Sequence, residues 1–480
     1  MKKLLIFAMM LMMTYACQPT DRSADDKSPI AEPAIEALTN ELITQHGEPF
    51  ADRIQRGVAA VAGLWRSSDG SQADFEAFCK QHFIADADEL DMVFDRLAHN
   101  FEHLYGYMNR ISLELNRQLH EDVGPIHPID QLFGAYSPAA HVQDDLFANK
   151  IAFIIALNFP AYDLQEKNEM GADWSPCQWG YARLGDRFNA RVPATVMQNY
   201  SQASSKARTY ISEYNIKAGK LLDNEGNTHF PDDMSLLAHW NIRDEIKSNY
   251  DRADGLPKQE MLYQVMLRII NQDIPVEVIN NPEYQWNPFT NELFSNGEAV
   301  DFEAETDRRY QHMLEIFRAL KAMDPYYPQA NSYIKRSFDR GMEIPQEEVE
   351  ALFREYAASP LLRQVAELVS QRLGRELRPF DLWYNQFVGR AGIGEDELDQ
   401  ITKKRYPNAK AMQDDLERMQ IDLGFDEETA KFLASKIEVD AARGSGHAWR
   451  ASMRSKPSHL RTRIAADGMD YKGYHLIFLL

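Results

Sequence analysis

Apolar residues recur at three- and four-residue steps over most of this chain, the spacing of helices that each bury one face. The longest such stripe runs from Asp88 to Leu119 through Leu90, Phe94, Leu97, Phe101, Leu104, Met108, Ile111 and Leu115. Gly124-Pro125 and His127-Pro128 close it, because neither dipeptide continues a helix. Ile151 to Phe159 is an apolar run that stops at Pro160, which predicts a buried helix; Met261 to Ile270 is apolar almost all round and is also expected to lie deep in the core. Pro345, at a first-turn position, opens a helix carrying Val349, Leu352, Phe353 and Tyr356. Ser359-Pro360 caps and opens the next, with Leu361, Val365, Leu368 and Val369 on its apolar side. Met412, Leu416 and Met419 mark another that closes near Gly424, and Asp426 starts a last one through Phe432, Leu433 and Ile437. No alternating strand series stands out and no segment repeats. The pattern predicts a mainly α fold, with one large multi-helix body over residues 34–442 and a short irregular stub over 443–480.

The two ends depart from this pattern. Lys2 and Lys3 precede an apolar run, Leu4 to Met13, that is too short to span a bilayer and reads as an export signal. Thr14-Tyr15-Ala16-Cys17 then has the arrangement of a lipoprotein cleavage site, which makes Cys17 the expected acylated N-terminus and the membrane the expected anchor. Residues 1–17 are thus signal and lipidation site, and the polar, Pro-containing residues 18–33 a flexible tether. Gln18 after the Cys favours the outer membrane, and Asp25-Asp26 is similar to surface-export signals. At the other end, residues 443–463 are strongly basic, and His475 to Leu480 is a bare apolar run with no polar stop. Such a segment leaves a sticky strand edge, so the chain is expected to be truncated there. Residues 443–480 are then expected to exchange their amides fast, and to be removable without unfolding the helices.

Composition narrows the partners. The net charge is −21, and loss of Lys2 and Lys3 with the signal takes it to about −23. That field repels nucleic acid, which is excluded as a partner. Beyond Cys17 only Cys79 and Cys177 remain, which is no disulfide framework. An oxidising compartment permits them to pair; two unpaired buried thiols is the equal alternative.

Metal chemistry has to be sought in histidine spacing. The HExxH string of zinc hydrolases, two ligands one helical turn apart with a general base beside the first, is absent. His120-Glu121 begins like it, but Gly124 occupies the second ligand position. The reversed form occurs as His99-Asn100-Phe101-Glu102-His103, but its His pair lies opposite the Leu97-Phe101-Leu104 stripe, so a solvated face is expected. His239 to Glu245, and Trp286 with Asn287-Pro288, concentrate groups that suit a cleft, though capping and packing account for both.

Leu377-Arg378-Pro379-Phe380-Asp381-Leu382-Trp383-Tyr384 is more specific. It resembles the segment of the thimet oligopeptidase family, gluzincin-type zinc metallopeptidases, in which a Leu, a Pro-aromatic-Asp and a Tyr open a helix beside the active-site cleft. In that family a glycine-rich stretch, an edge strand and the HExxH helix follow. Arg443-Gly444-Ser445-Gly446-His447 is similar to the glycine-rich stretch, and Gly468 to Tyr474 to the approach to the zinc helix. The resemblance covers roughly residues 370–475, and the whole chain is similar to bacterial lipoproteins of gluzincin-like type. It implies an exported peptidase that holds an extended peptide in a channel, with Asp381, Tyr384, His447, Tyr471 and Tyr474 near substrate and zinc as the cofactor of the full-length parent. Neither the His pair nor its Glu is present, so no catalytic residue and no metal ligand is assigned here, and the chain as given is expected to be inactive. His475 is followed by Leu476 where the base should stand. The alternative is a helical outer-membrane lipoprotein that captures glycan or peptide without catalysis, with Trp240, Trp286, Trp383 and Tyr384 stacking on sugar rings.

Overall fold

The computed structural model describes residues 30–462 except 122, 239–240, 328–331, 385–394 and 444–446. The fold is mainly helical, with three small sheets. It forms two compact units, each assembled from three stretches: Met1–Phe101 with Pro138–Tyr200 and Arg318–Ala351, and Glu102–Ser137 with Ser201–Phe317 and Leu352–Leu480. The single body expected over 34–442 is therefore divided. Most of the boundaries fall inside helices, such as Ala87–Leu115 and Ala194–Ser212, where no turn residue marks them.

The first unit is built on the helix Ile151–Asn158, buried on nearly every side as its unbroken apolar run requires. Helix Ala51–Leu64 packs across it at Gly57, where a Cβ would overlap the Leu157 carbonyl oxygen. Trp65, Phe75, Phe78 and Phe153 interlock beside them with ring centroids 4.9 to 6.1 Å apart. Asn158, the one polar side chain of the buried helix, is satisfied: it donates to His82 O and Ile154 O and accepts from Ile84 N. Cys79 and Cys177 are both unpaired; Cys79 is buried, which pushes its thiol up to about 12, and Cys177 is exposed.

The second unit centres on the helix Gly255–Asn271. Only one face of it is deep, through Met261, Leu262, Val265 and Ile269; Ile270 faces outward, so the helix is amphipathic rather than buried all round. Around it lie a two-stranded sheet, β1 (Asn215–Lys217) and β2 (Ser235–Leu237), and a meander, β3 (Gln285–Asn287), β4 (Glu292–Ser295) and β5 (Glu298–Val300). A signal for the β4–β5 hairpin was present in the sequence. Asn296 and Gly297 both adopt positive φ, as the two-residue turn demands.

Punctuation placed the late helices well. Ser359 caps Pro360–Leu373, Asn408 caps Ala409–Asp422, and Asp426 caps Glu427–Ala434, each accepting from a backbone N–H two or three residues on. Ile437 corrects the sequence reading: it opens strand β6 (Ile437–Ala441) instead of ending a helix. The reading of 443–480 as an irregular stub is corrected too, as far as the described residues reach. β7 (His447–Trp449) and β8 (Ser458–Thr462) join β6 in a sheet of order β6-β8-β7, with β8 central, parallel to β6 and antiparallel to β7. Val439 and Leu460 from this sheet share a core with Tyr406, Met412, Leu416 and Met419. Strands this short carry too few residues for alternation to register in the sequence.

Candidate functional site

The Pro-aromatic-Asp segment folds as a single 3-10 turn, Pro379–Trp383, on the surface of the second unit's main core. Phe380 inserts into that core and packs on Tyr263 at 5.6 Å. Asp381 is only 5% exposed. Its carboxylate accepts two bonds from the Arg375 fork (2.6 and 2.8 Å), one from Arg378 N (2.5 Å) and one from the Tyr250 hydroxyl (3.0 Å). Burial pushes this carboxyl up, but the Arg375 guanidinium and the N–H and O–H donors outweigh it and hold the group below the usual Asp range. The Arg375 side moves in the matching direction, upward, through the same hydrogen bond. Both carboxylate oxygens are thus engaged within the chain, and Asp381 is a positioning residue for its turn. Tyr384 packs edge-on against Tyr250 at 4.9 Å, so the two residues singled out in this segment share one neighbour.

His447 lies elsewhere in the second unit, at the start of β7, opposite Arg461 in the register of the C-terminal sheet. Arg461 is 1% exposed and gathers the polar groups around that sheet. It donates to His120 Nδ1 (2.7 Å) and Glu121 Oε1 (3.1 Å), and its Nε stands 3.5 Å from Asp440. Since a guanidinium only donates, His120 accepts at Nδ1 and carries its proton on Nε2. His120-Glu121, the string that began like a zinc motif, is thereby committed to an arginine. The Trp449 indole donates to Asn109 (3.0 Å), Asn109 donates to Arg450 O, and Arg454 N donates to Glu102. At Gly106 the same helix lies so close to the 450–454 loop that a Cβ would overlap Ser452 O.

Among the described residues one set converges as metal ligands do: Glu438, Asp440 and His459, on neighbouring strands β6 and β8. It does not fit a catalytic zinc. Asp440 already accepts from His459 Nδ1 at 2.8 Å and faces the Arg461 guanidinium, so a divalent cation would meet a fixed positive charge. His99 and His103 are both exposed, in keeping with the solvated face expected of them.

Cys17, His239, Trp240, Tyr471 and Tyr474 lie outside the described residues. Trp286 is buried in the core with its indole N–H on Asn291, so it presents no free face for a sugar ring, and Trp383 is partly buried against the same core. The sequence reading missed Tyr250, Arg375 and Arg461. A bidentate Arg needs an acid at a distance in space that no sequence spacing fixes. No family model, curated protein or solved structure matches this chain.

Proposed function

We propose that this chain is the peptide-holding part of an exported, zinc-metallopeptidase-like lipoprotein tethered to a membrane through Cys17. The observation that carries the reading is the edge strand β7, which pairs on one side with β8 and with no other described strand. It follows the glycine-containing stretch that resembles the family's, and Trp449 and Arg450 tie it to a helix. A rigid strand with one open row of N–H and C=O groups takes up an extended peptide as an added strand. The locked turn at Asp381, in the segment that resembles the family's cleft wall, supports the same reading. The described residues offer no fitting zinc site, so no hydrolytic step is assigned to them.

A saturating extended peptide is expected to slow amide exchange over residues 447–449 in the mature chain and to leave 215–217, at the paired strand β1, unchanged. Peptide binding that leaves 447–449 unprotected would remove this reading. Anchoring has its own test. Cys17→Ser is expected to move the protein from the membrane to the soluble fraction, because no helix among the described residues is long and apolar enough to cross a membrane in place of the lipid. Unaltered membrane partition in that variant would show that Cys17 is not the tether.

A further inference from the structure

The first unit holds a cleft of about 1240 Å³ that the peptidase reading does not use. Drug-sized ligands sit in pockets of roughly 300–1,000 Å³, so this one suits an extended occupant. In a chain of net charge −21 its lining is rich in cations. Most of these are neutralised in place: Arg56 by Glu166, Lys167 by Asp186, Arg191 by Asp69, Lys335 by Asp339. Arg66 and Arg340 are not. Arg66 donates to a carbonyl, Arg191 O, and neither has a carboxylate within ion-pair distance among the described residues, although Asp144 and Asp69 stand near enough to Arg66, and Asp186 and Asp339 to Arg340, to favour their charge.

The two arginines flank consecutive tyrosines: Tyr326 is beside Arg66, and the Tyr327 ring lies 5.3 Å from Arg340. Asn189 and Arg191 also line the cleft, and their Oδ1 and Nε are a buried acceptor and a buried donor that no hydrogen bond satisfies. Buried polar atoms left open in this way need a partner. We propose that this cleft binds an acidic peptide segment, with its carboxylates on Arg66 and Arg340.

Guanidinium groups favour carboxylates because two parallel N–H donors match two oxygens. Ring stacking does not favour a glycan: Arg336 lies 3.9 Å over Tyr327 and Arg56 lies 4.9 Å over Tyr162, so a cation already takes one face of each ring. The mixed lining decides against a dense polyanion, since Glu169 and Glu347 also face the cleft and would repel it. An acidic peptide carries its charges spaced along an amide backbone, which lets separate carboxylates reach Arg66 and Arg340 while the backbone passes the acidic residues of the wall. This inference stands on a different unit from β7, and failure of the β7 test leaves it intact.

The probe is a fluorescein-labelled octapeptide alternating Glu and Ala, with its Gln counterpart, titrated against the Cys17→Ser chain by anisotropy. The Glu peptide is expected to bind saturably and the Gln peptide at least about tenfold more weakly, the size of a lost charge-assisted hydrogen bond. Arg66→Gln and Arg340→Gln are each expected to weaken the Glu peptide about tenfold and the Gln peptide little. The comparison of peptides on the unmutated chain decides the matter even where a variant fails to fold. No saturable binding, equal affinity for the two peptides, or stronger competition by oligogalacturonate or inorganic phosphate than by unlabelled Glu peptide would each overturn the proposal.

Discussion

Replacing Arg461 by alanine is expected to lower the stability of the C-terminal sheet by about 3 kcal/mol, the lower end of what removing one partner of a buried ion pair costs. The lower end applies because Glu121 and Asp440 already keep 14% and 19% of their side-chain surface in water. Asp440 would lose its guanidinium, Glu121 would keep only the exposed Arg117, and His120 Nδ1 would lose its donor. Arg461→Lys is expected to recover only part of the loss, since an ammonium does not span His120, Glu121 and Asp440 as a planar fork does. Hydrogen exchange over residues 437–462 measures this directly: protection of β6 and β8 should fall in Arg461→Ala and stay unchanged over Ile151–Asn158 in the other unit. A deletion of 443–480 should go further, because it removes central β8 and uncovers Val439, Met412 and Leu416. Exchange unaffected by either change would make the sheet an ornament on the helices, as the sequence first suggested.

The second large effect is expected at Asp381. Asp381→Ala leaves the Arg375 fork and Arg378 N without their acceptor, and a loss of about 3–5 kcal/mol follows from a broken buried pair. Asp381→Asn keeps the shape but turns an N–H₂ toward donors, so most of the loss should remain. The same group has an acid signature. Its folded carboxyl titrates below the ordinary Asp value of about 3.9, so in acid the unfolded chain takes up the proton first. Its stabilisation is therefore complete above the ordinary value and is lost as pH falls through the folded one. Asp415 behaves alike: the Arg418 hydrogen bond, with Tyr406 and Arg405, lowers it to about 2. Urea unfolding of the parent and Asp381→Asn, compared between about pH 5 and pH 1, isolates the Asp381 share. The gap between them should shrink as the pH falls. A gap independent of pH would mean that the charge of Asp381 does not matter to the fold.

Tyr250 and Arg375 show why a motif in sequence is half a site. Pro379-Phe380-Asp381 was legible as a turn with a buried aromatic, because proline fixes φ and the Asp can accept from the backbone three residues before it. That its carboxylate would be saturated by Tyr250, more than a hundred residues away, follows from no spacing. The HxxEH string was legible in the opposite sense. The apolar stripe alone turned His99 and His103 to solvent.

What the sequence determined by itself is local: which stretches are helical, where Ser359 and Asp426 cap them, and that Ile151–Asn158 is buried on nearly all sides. These follow from backbone chemistry and periodicity within one or two turns. The tertiary structure decided whether an apolar face finds a partner. Leu352, Phe353 and Tyr356, read as a stripe, remain exposed, whereas residues 447–449 and 458–462, too short to show a period, enter a sheet that closes a core. Periodicity reports which side of an element is apolar. What covers that side depends on contacts between residues hundreds of positions apart, as between Asn109 and Trp449, and those are fixed only when the whole chain has folded.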